Sequence, residues 1–397
     1  MLVVLGEHIT TQKGYAFKSK WYSDEGHPIV KVTNFTTDSI DIAKLVRIPE
    51  DIARHYMKYQ LKTNDVVIQT VGSWPSNPAS VVGKTIRVPK SANGALLNQN
   101  AVRIEPDETI DKGYLYYLLR NNAFKDYIIG TAQGSASQAS ITLDSIKTYK
   151  FDAPTLEKQK RISQILSSFD HLIENNTHRI AILEEMSNMI YREWFVNFRF
   201  PGFEDVVMID SELGLIPDKW SVGKLQHVAE FVGGGTTTKA SYVSDGYPAF
   251  SAAGPDGMLP DFEINGPGVV LSAVGARCGR TFRASNKWSS IANTIKILPK
   301  NTQLFAWLYH TTGDPRVWPK RGSAQPFISI NDAREVICLI PPMQLLTLFN
   351  LFVDPIFSLQ DNLATRLNIL VAARDFLIPR LISGEIDVSQ LDIEVAA

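Results

Sequence analysis

Short motifs in this chain occur twice, in the same order, at an offset that shrinks steadily along the sequence. Gly26-His-Pro-Ile-Val30 returns as Gly246-Tyr-Pro-Ala-Phe250, 220 residues later. Asp65-Val-Val-Ile68 with Val71-Gly72 returns as Gly268-Val-Val-Leu271 with Val274-Gly275, at 203. Asn100-Ala-Val-Arg-Ile104 returns as Asn293-Thr-Ile-Lys-Ile297 at 193; Gln138-Ala-Ser-Ile141 and Pro154 return as Gln325-Pro-Phe-Ile328 and Pro341 at 187. Chance matches do not keep order while their spacing contracts. A duplicated unit whose second copy carries shorter loops does.

Each copy repeats one plan. A mixed region of about 150 residues comes first, the size of a domain. Its short β-type runs, Val66-Val67-Ile68 and Val269-Val270-Leu271, are bounded by Gly, Pro and Asn. Short helical stretches follow, at Tyr114 to Leu119 and Phe305 to Tyr309. After a proline the period changes. Apolar residues fall at Ile162, Ile165, Phe169, Leu172, Leu183, Met186 and Ile190, with Asn176 and Arg179 in the polar slots and a second stripe, Leu166, Ile173 and Ile180, beside them. Later come Leu346, Phe349, Val353, Ile356, Leu363, Leu367, Leu370 and Leu377, with Gln360 and Arg374 in the polar slots. Alternating steps of three and four make a heptad seam, the pattern of helices that pair along their length.

Thr155 and Glu157 make a helix start after Pro154, and Pro355 predicts a kink or a late start in the second helix. The first helix, about 38 residues and ~57 Å long, needs a partner for its apolar stripe. Two similar halves in one chain most simply form a pseudo-dimer with two-fold symmetry, which makes the two helices antiparallel. The plainer alternative is that each helix packs on its own domain. The fold class expected is α+β, with two similar globular domains joined by a pair of long antiparallel coiled-coil helices.

Composition admits this and excludes other classes. Hydrophobic residues make up 44% and charged residues 20% of the chain, which excludes a mainly disordered protein. No apolar run approaches the ~18 residues of a membrane span. The opening MLVVLGEHIT reads as a first strand, not as an export signal. Two cysteines, Cys278 and Cys338, suit a reducing compartment, so a cytoplasmic location is expected. The net charge is −1, but it is segregated: residues 276–330 hold nine basic residues against Asp314, 61–104 hold five against Asp65, and 200–275 hold three Lys against ten acids. Such segregation builds a cationic face that attracts a phosphate backbone, unless the segments are simply solvated on different faces.

A family likeness is carried by Ala153-Pro-Thr-Leu-Glu-Lys-Gln-Lys-Arg-Ile162, Leu166-Ser-Ser-Phe-Asp170, Ile173-Glu-Asn-Asn176 and Met189-Ile-Tyr-Arg-Glu-Trp-Phe195, and by the tail Ala373-Arg-Asp-Phe-Leu-Ile-Pro-Arg-Leu-Ile-Ser-Gly-Glu385. These resemble the central and distal conserved regions of type I restriction–modification specificity subunits. Gly223-Lys-Leu225 is similar to the opening of that family's recognition domains. The stretch Pro342-Met-Gln-Leu-Leu-Thr347 departs from the more polar, Gln-containing pattern of the first copy at Glu157-Lys-Gln159, which touches only the start of the second helix.

The resemblance implies a target recognition domain at 1–154, a central conserved helix at 155–198, a second target recognition domain at 199–341, and a distal conserved helix and tail at 342–397. It implies a chain that recognises a bipartite DNA target and docks two methyltransferase subunits. Those subunits bind S-adenosylmethionine and methylate adenine, and restriction subunits complete the assembly. No cofactor is expected in this chain itself. Two readers on a fixed strut suit a target read in two blocks, because B-DNA presents the same face every ~34–36 Å.

Catalytic motifs are near-misses. Gly83-Lys84-Thr85 lacks the glycine of a phosphate loop, with Pro78 at that position. No acid is followed two residues later by Lys, and no Asn/Asp-Pro-Pro-aromatic stretch is present. His171 and His178 are a heptad apart, too far to share a metal. A non-catalytic DNA reader is expected.

The candidate contacts are paired loops. Ser73, Trp74, Lys84 and Arg87 lie at and after Gly72-Ser-Trp-Pro-Ser-Asn77; Arg277 and Arg280 lie in Gly275-Ala-Arg-Cys-Gly-Arg280. Ser135 and Gln138 in one copy, and Lys320, Arg321 and Gln325 in the other, form the second pair. Arg suits guanine, Gln adenine, and Lys phosphate. The bland reading is that Gly-Ser-Gln loops are turns, and that Trp194, Phe195 and Trp220 are core. The competing function is a bivalent protein-binding scaffold, whose binding has no reason to weaken steeply with salt.

Overall fold

The computed structural model describes residues 2–76 and 80–389; Asn77 of the first candidate loop and the tail from 390 onward lie outside the described residues. The chain divides into two compact units, Met1–Asn176 with Thr365–Ala397, and Thr177–Ala364. Each unit therefore holds a stretch of both long helices, the central helix Leu156–Tyr191 and the distal helix Met343–Ser383.

In the first unit, β1 (Ile9–Lys13), β2 (Val66–Gln69), β3 (Thr85–Arg87) and β4 (Ala101–Pro106) form an antiparallel sheet in the order β1-β4-β2-β3. β-Branched Val66, Val67 and Ile68 are fully buried on both faces of the sheet, which is why β2 is central. Helix α1 (Lys112–Arg120) starts where the Asp111 side chain accepts a hydrogen bond from the Tyr114 backbone at 2.8 Å. It buries Tyr114 through Leu119 in the same core as Val66 and Ile68. In a smaller sheet, His27–Val30 lies between antiparallel Val46–Ile48 and parallel Leu96–Leu97.

The second unit repeats the plan. Strands β5 (Ala229–Gly233), β6 (Gly268–Ser272), β7 (Thr281–Ala284) and β8 (Thr294–Pro299) run in the order β5-β8-β6-β7, and helix α2 (Phe305–Thr311) stands where α1 does. Register matches as well as order. Ile9 faces Pro106 as Ala229 faces Pro299; Val66 faces Ile104 as Val269 faces Ile297; Ile29 pairs Leu96 in parallel as Ala249 pairs Ser289. These pairs carry the offsets 220, 203 and 193 read from the sequence. Asn100 and Asn293, both at φ near +70°, make the same left-handed turn into β4 and β8. At Gly14 and Gly234 a Cβ would come within 1.9 Å of the Asn98 carbonyl and 2.1 Å of the Ile291 carbonyl, so neither position admits a side chain.

Within each unit the helix stretches run antiparallel. In the first, Lys158 reaches Asp387 at 3.2 Å and Asp170 meets Arg374 at 2.8 Å. In the second, Glu184 meets Gln360 at 3.0 Å and the Trp194 ring packs on Phe349. Thr155 opens the central helix, its carbonyl accepting from the Gln159 backbone at 2.9 Å, and a wider turn at Arg192–Val196 closes it.

The burial of these helices corrects part of the seam. Leu172 and Met186 stand 52% and 46% exposed, whereas Leu166, in the adjacent stripe, is fully buried. A shift of one residue turns a helix face by about 100°, and the face that counts must cover its own globular core as well as the other helix. Ile162 and Leu166 join the core of the first unit; Trp194, Phe195, Phe349 and Val353 join that of the second. Seam and domain packing are thus one surface. Ile165, Phe169, Leu183, Ile190, Ile356, Leu367 and Leu370 are partly buried, and Leu363 is buried. Pro355 brings no late start. The helix begins twelve residues earlier, at Met343, and the Leu351 carbonyl that loses a donor to Pro355 belongs to an exposed residue.

Candidate nucleic-acid interface

In both units the paired loops lie side by side. In the first, Gly72 faces Ala139 and Val71 faces Ser140 across an antiparallel pairing, and Trp74 Nε1 donates to the Ser135 carbonyl at 2.7 Å. In the second, Val274 bridges Phe327, and the Gly275 backbone donates to the Pro326 carbonyl at 2.9 Å. Val71–Ser140 and Val274–Phe327 are equivalent pairs at offsets 203 and 187. Folding thus joins loops that lie more than fifty residues apart in each copy.

The two loop pairs differ in charge. In the second unit Arg277, Arg280 and Lys320 are exposed and make no ion pair within the described residues. A cavity of about 390 Å³ opens beside Arg277, lined also by Thr238, Ser251, Ile291 and Asn293. Gln325 is exposed nearby, but Arg321 bonds Asp332 at 2.5 Å. The Cys278 thiol turns inward to the Ala273 carbonyl at 3.4 Å, and burial pushes its pKa up.

In the first unit the expected cations are occupied. Arg87 pairs with Asp170 at 3.2 Å and lies over the Tyr116 ring; Lys84 donates to the Phe35 carbonyl at 3.3 Å, and burial lowers its pKa. Ser73 is buried. The structure thus engages Lys84 and Arg87, both half-buried, with groups of the first unit itself, and leaves Ser73 little exposed surface. Arg321 stays exposed, at 63% of its side chain, while it pairs with Asp332. Ser135 and Gln138 remain exposed, and Trp74 is half-buried with its N–H already used. Trp194, Phe195 and Trp220 are core residues.

Sequence reasoning missed two groups. Asp170 accepts from Tyr117 at 2.6 Å, Arg374 at 2.8 Å and Arg87 at 3.2 Å, a convergence across 204 residues that no local pattern announces. Tyr15, Trp21, Tyr56 and Tyr59 form a partly exposed aromatic cluster with Lys18 over Trp21 and Lys58 over Tyr59. Its signal was the interleaving of Lys and aromatic residues near both segments. Among the described residues, no cluster of His, Cys, Asp and Glu is arranged to hold a metal.

Residues 2–185 match the model of the type I restriction modification DNA specificity domain. Over these residues the chain carries a type I restriction modification DNA specificity domain. The specificity subunit of type I restriction enzyme MjaIX from Methanocaldococcus jannaschii is 24% identical over 325 residues, covering 75% of this chain and 74% of that one. The putative MjaX specificity subunit of the same organism is 30% identical over 225 residues, covering 56% and 51%. The crystal structure of a type I restriction–modification S subunit from M. genitalium shares the fold, with a TM-score of 0.56 at 15% identity over 96% of each chain. The match to the family model ends within the central helix; the 325-residue alignment with the MjaIX subunit and the matched strand registers extend the likeness into the second unit.

Proposed function

We propose that this chain is the DNA-reading subunit of a type I methyltransferase assembly, each unit reading one block of a bipartite target through its loop pair. One observation carries the reading: strand pairings of identical register hold two exposed loops together in both copies. Phosphate binding is assigned to Arg277, Arg280 and Lys320, and base contacts to Ser135, Gln138 and Gln325 with the arginines.

The chain contributes recognition and no catalysis; S-adenosylmethionine and the methylation of adenine belong to two partner methyltransferase subunits. The long helices are their docking strut. Recognition domains at 1–154 and 199–341, helices at 155–198 and 342–397, and a cytoplasmic location complete the proposal; no helix among the described residues is long and apolar enough to cross a membrane.

The test is a map of adenine methylation in cells carrying the partner methyltransferase gene, with and without this chain. Methylation of a motif of two short blocks at a fixed gap, only when the chain is present, is expected. Methylation unchanged by its removal refutes the reading and leaves a protein-binding scaffold.

A further inference from the structure

The edge strands β3 and β7 each carry, at or next to their last residue, an arginine that reaches a long helix. Arg87 faces Val66 in its sheet and Arg283 faces Val269, so the two occupy one register position of the duplicated fold. The Arg87 guanidinium lies 5.1 Å over the Tyr116 ring and bonds Asp170 of the central helix at 3.2 Å. The Arg283 guanidinium lies 4.4 Å over the Phe357 ring and grips Asp361 of the distal helix with two bonds, at 3.0 and 2.5 Å. Both arginines are largely buried, at 21% and 13% side-chain exposure. In the first unit Arg374, 2% exposed, bonds Asp170 from the distal helix and continues to Asp38 at 3.0 Å. Each arginine also sits on the strand that follows a candidate reading loop: β7 comes directly after Gly275–Arg280, and β3 is the next strand after the loop that opens at Gly72.

We propose that Arg87–Asp170 and Arg283–Asp361 are paired positioning clamps. Each fixes the exit strand of one reading loop to a long helix and so sets the approach of that reader to its own DNA block. This deepens, and rests on, the DNA-reading function proposed above. A planar guanidinium stacked on a ring and bonded to a carboxylate fixes an angle as well as a distance, which the ammonium of Lys does not. An error of about 1 Å at the root of a loop misaligns bidentate base contacts at its tip.

The experiment is Arg87→Lys and Arg283→Lys, each in the full chain co-expressed with its methyltransferase partner, with the methylated motif mapped base by base. Discrimination is expected to relax about tenfold, the scale of a single mismatched base pair, in one block only, and in opposite blocks for the two variants. Relaxation of both blocks together, or of neither, overturns the clamps, since a general loss of stability does not choose a block. If either variant fails to assemble, the exchanged pair Arg283→Asp with Asp361→Arg is mapped beside Arg283→Asp alone. Restored discrimination in that pair's block supports the clamp, and no restoration overturns it. A wild-type chain that directs no two-block methylation refutes the DNA-reading function itself; a wild-type motif left unchanged in every variant refutes only the clamps.

Discussion

If Arg277, Arg280 and Lys320 grip phosphates, their loss must appear in the salt dependence of binding. Each phosphate neutralised on duplex DNA contributes about 0.9 to the slope of log K against log salt. The three cations form no ion pair within the described residues, so the triple substitution to Ala removes up to three counterion-releasing contacts. The slope is expected to fall by up to about 2.7. Over a fourfold rise in salt, from about 50 to 200 mM, the wild type then loses about 40-fold more affinity than the variant. The assay is fluorescence anisotropy of a labelled duplex titrated with the assembled complex across that range. Arg316→Ala is the control, because Arg316 is held by Asp314 at 2.6 Å, and it is expected to leave the slope unchanged, against the ~0.9 that loss of one phosphate contact gives. A triple variant whose slope equals that of the wild type refutes the assignment, whatever its affinity at a single salt concentration.

Three further outcomes are expected. Leu166→Ala lowers stability by about 2–5 kcal/mol, while Leu172→Ala and Met186→Ala stay within about 0.5 kcal/mol, as read by urea unfolding; equal costs would reinstate the unshifted seam. His310 is buried against Asn188 at 3.0 Å, and burial lowers its pKa from 6.5 to about 3. The unfolded chain therefore takes up a proton below pH 6.5 that the folded chain refuses. Stability through this group falls as pH drops from 6.5 toward 3, by roughly 3 kcal/mol at pH 4, and His310→Gln flattens that window in a melting series. Cys338, pushed up to about 12 by burial, and buried Cys278 resist a disulfide reagent at pH 8 until denaturant is added; rapid labelling of the native chain would contradict their burial.

The duplication was legible because it is a property of order: offsets of 220, 203, 193 and 187 survive as strand registers. The paired loops were legible for the same reason. The seam was legible only as a pair of stripes, because choosing between Leu172 and Leu166 requires knowing what the other side of the helix covers. Charge was the least legible. Of the nine cations in 276–330, Arg283, Lys296, Arg316 and Arg321 find carboxylates, Asp361, Glu263, Asp314 and Asp332. Arg283 meets its partner 78 residues away, so counting charges along the chain overstated the free cations. Arg87 likewise finds a carboxylate far along the chain, since Asp170 lies 83 residues on.

The first unit is discontinuous: its core draws on Ile162 and Leu166 and also on Ile378, Leu381, Ile382 and Val388. A ribosome makes the whole second unit between those two sets. The nascent first unit therefore waits, with Asp170 lacking Arg374 and an apolar face uncovered, until nearly 390 residues have been joined. At about 5–20 residues per second, that wait lasts roughly ten seconds or more. In the order of its birth, the domain begun first is finished second, and a chaperone that shields apolar surface has its longest opportunity there.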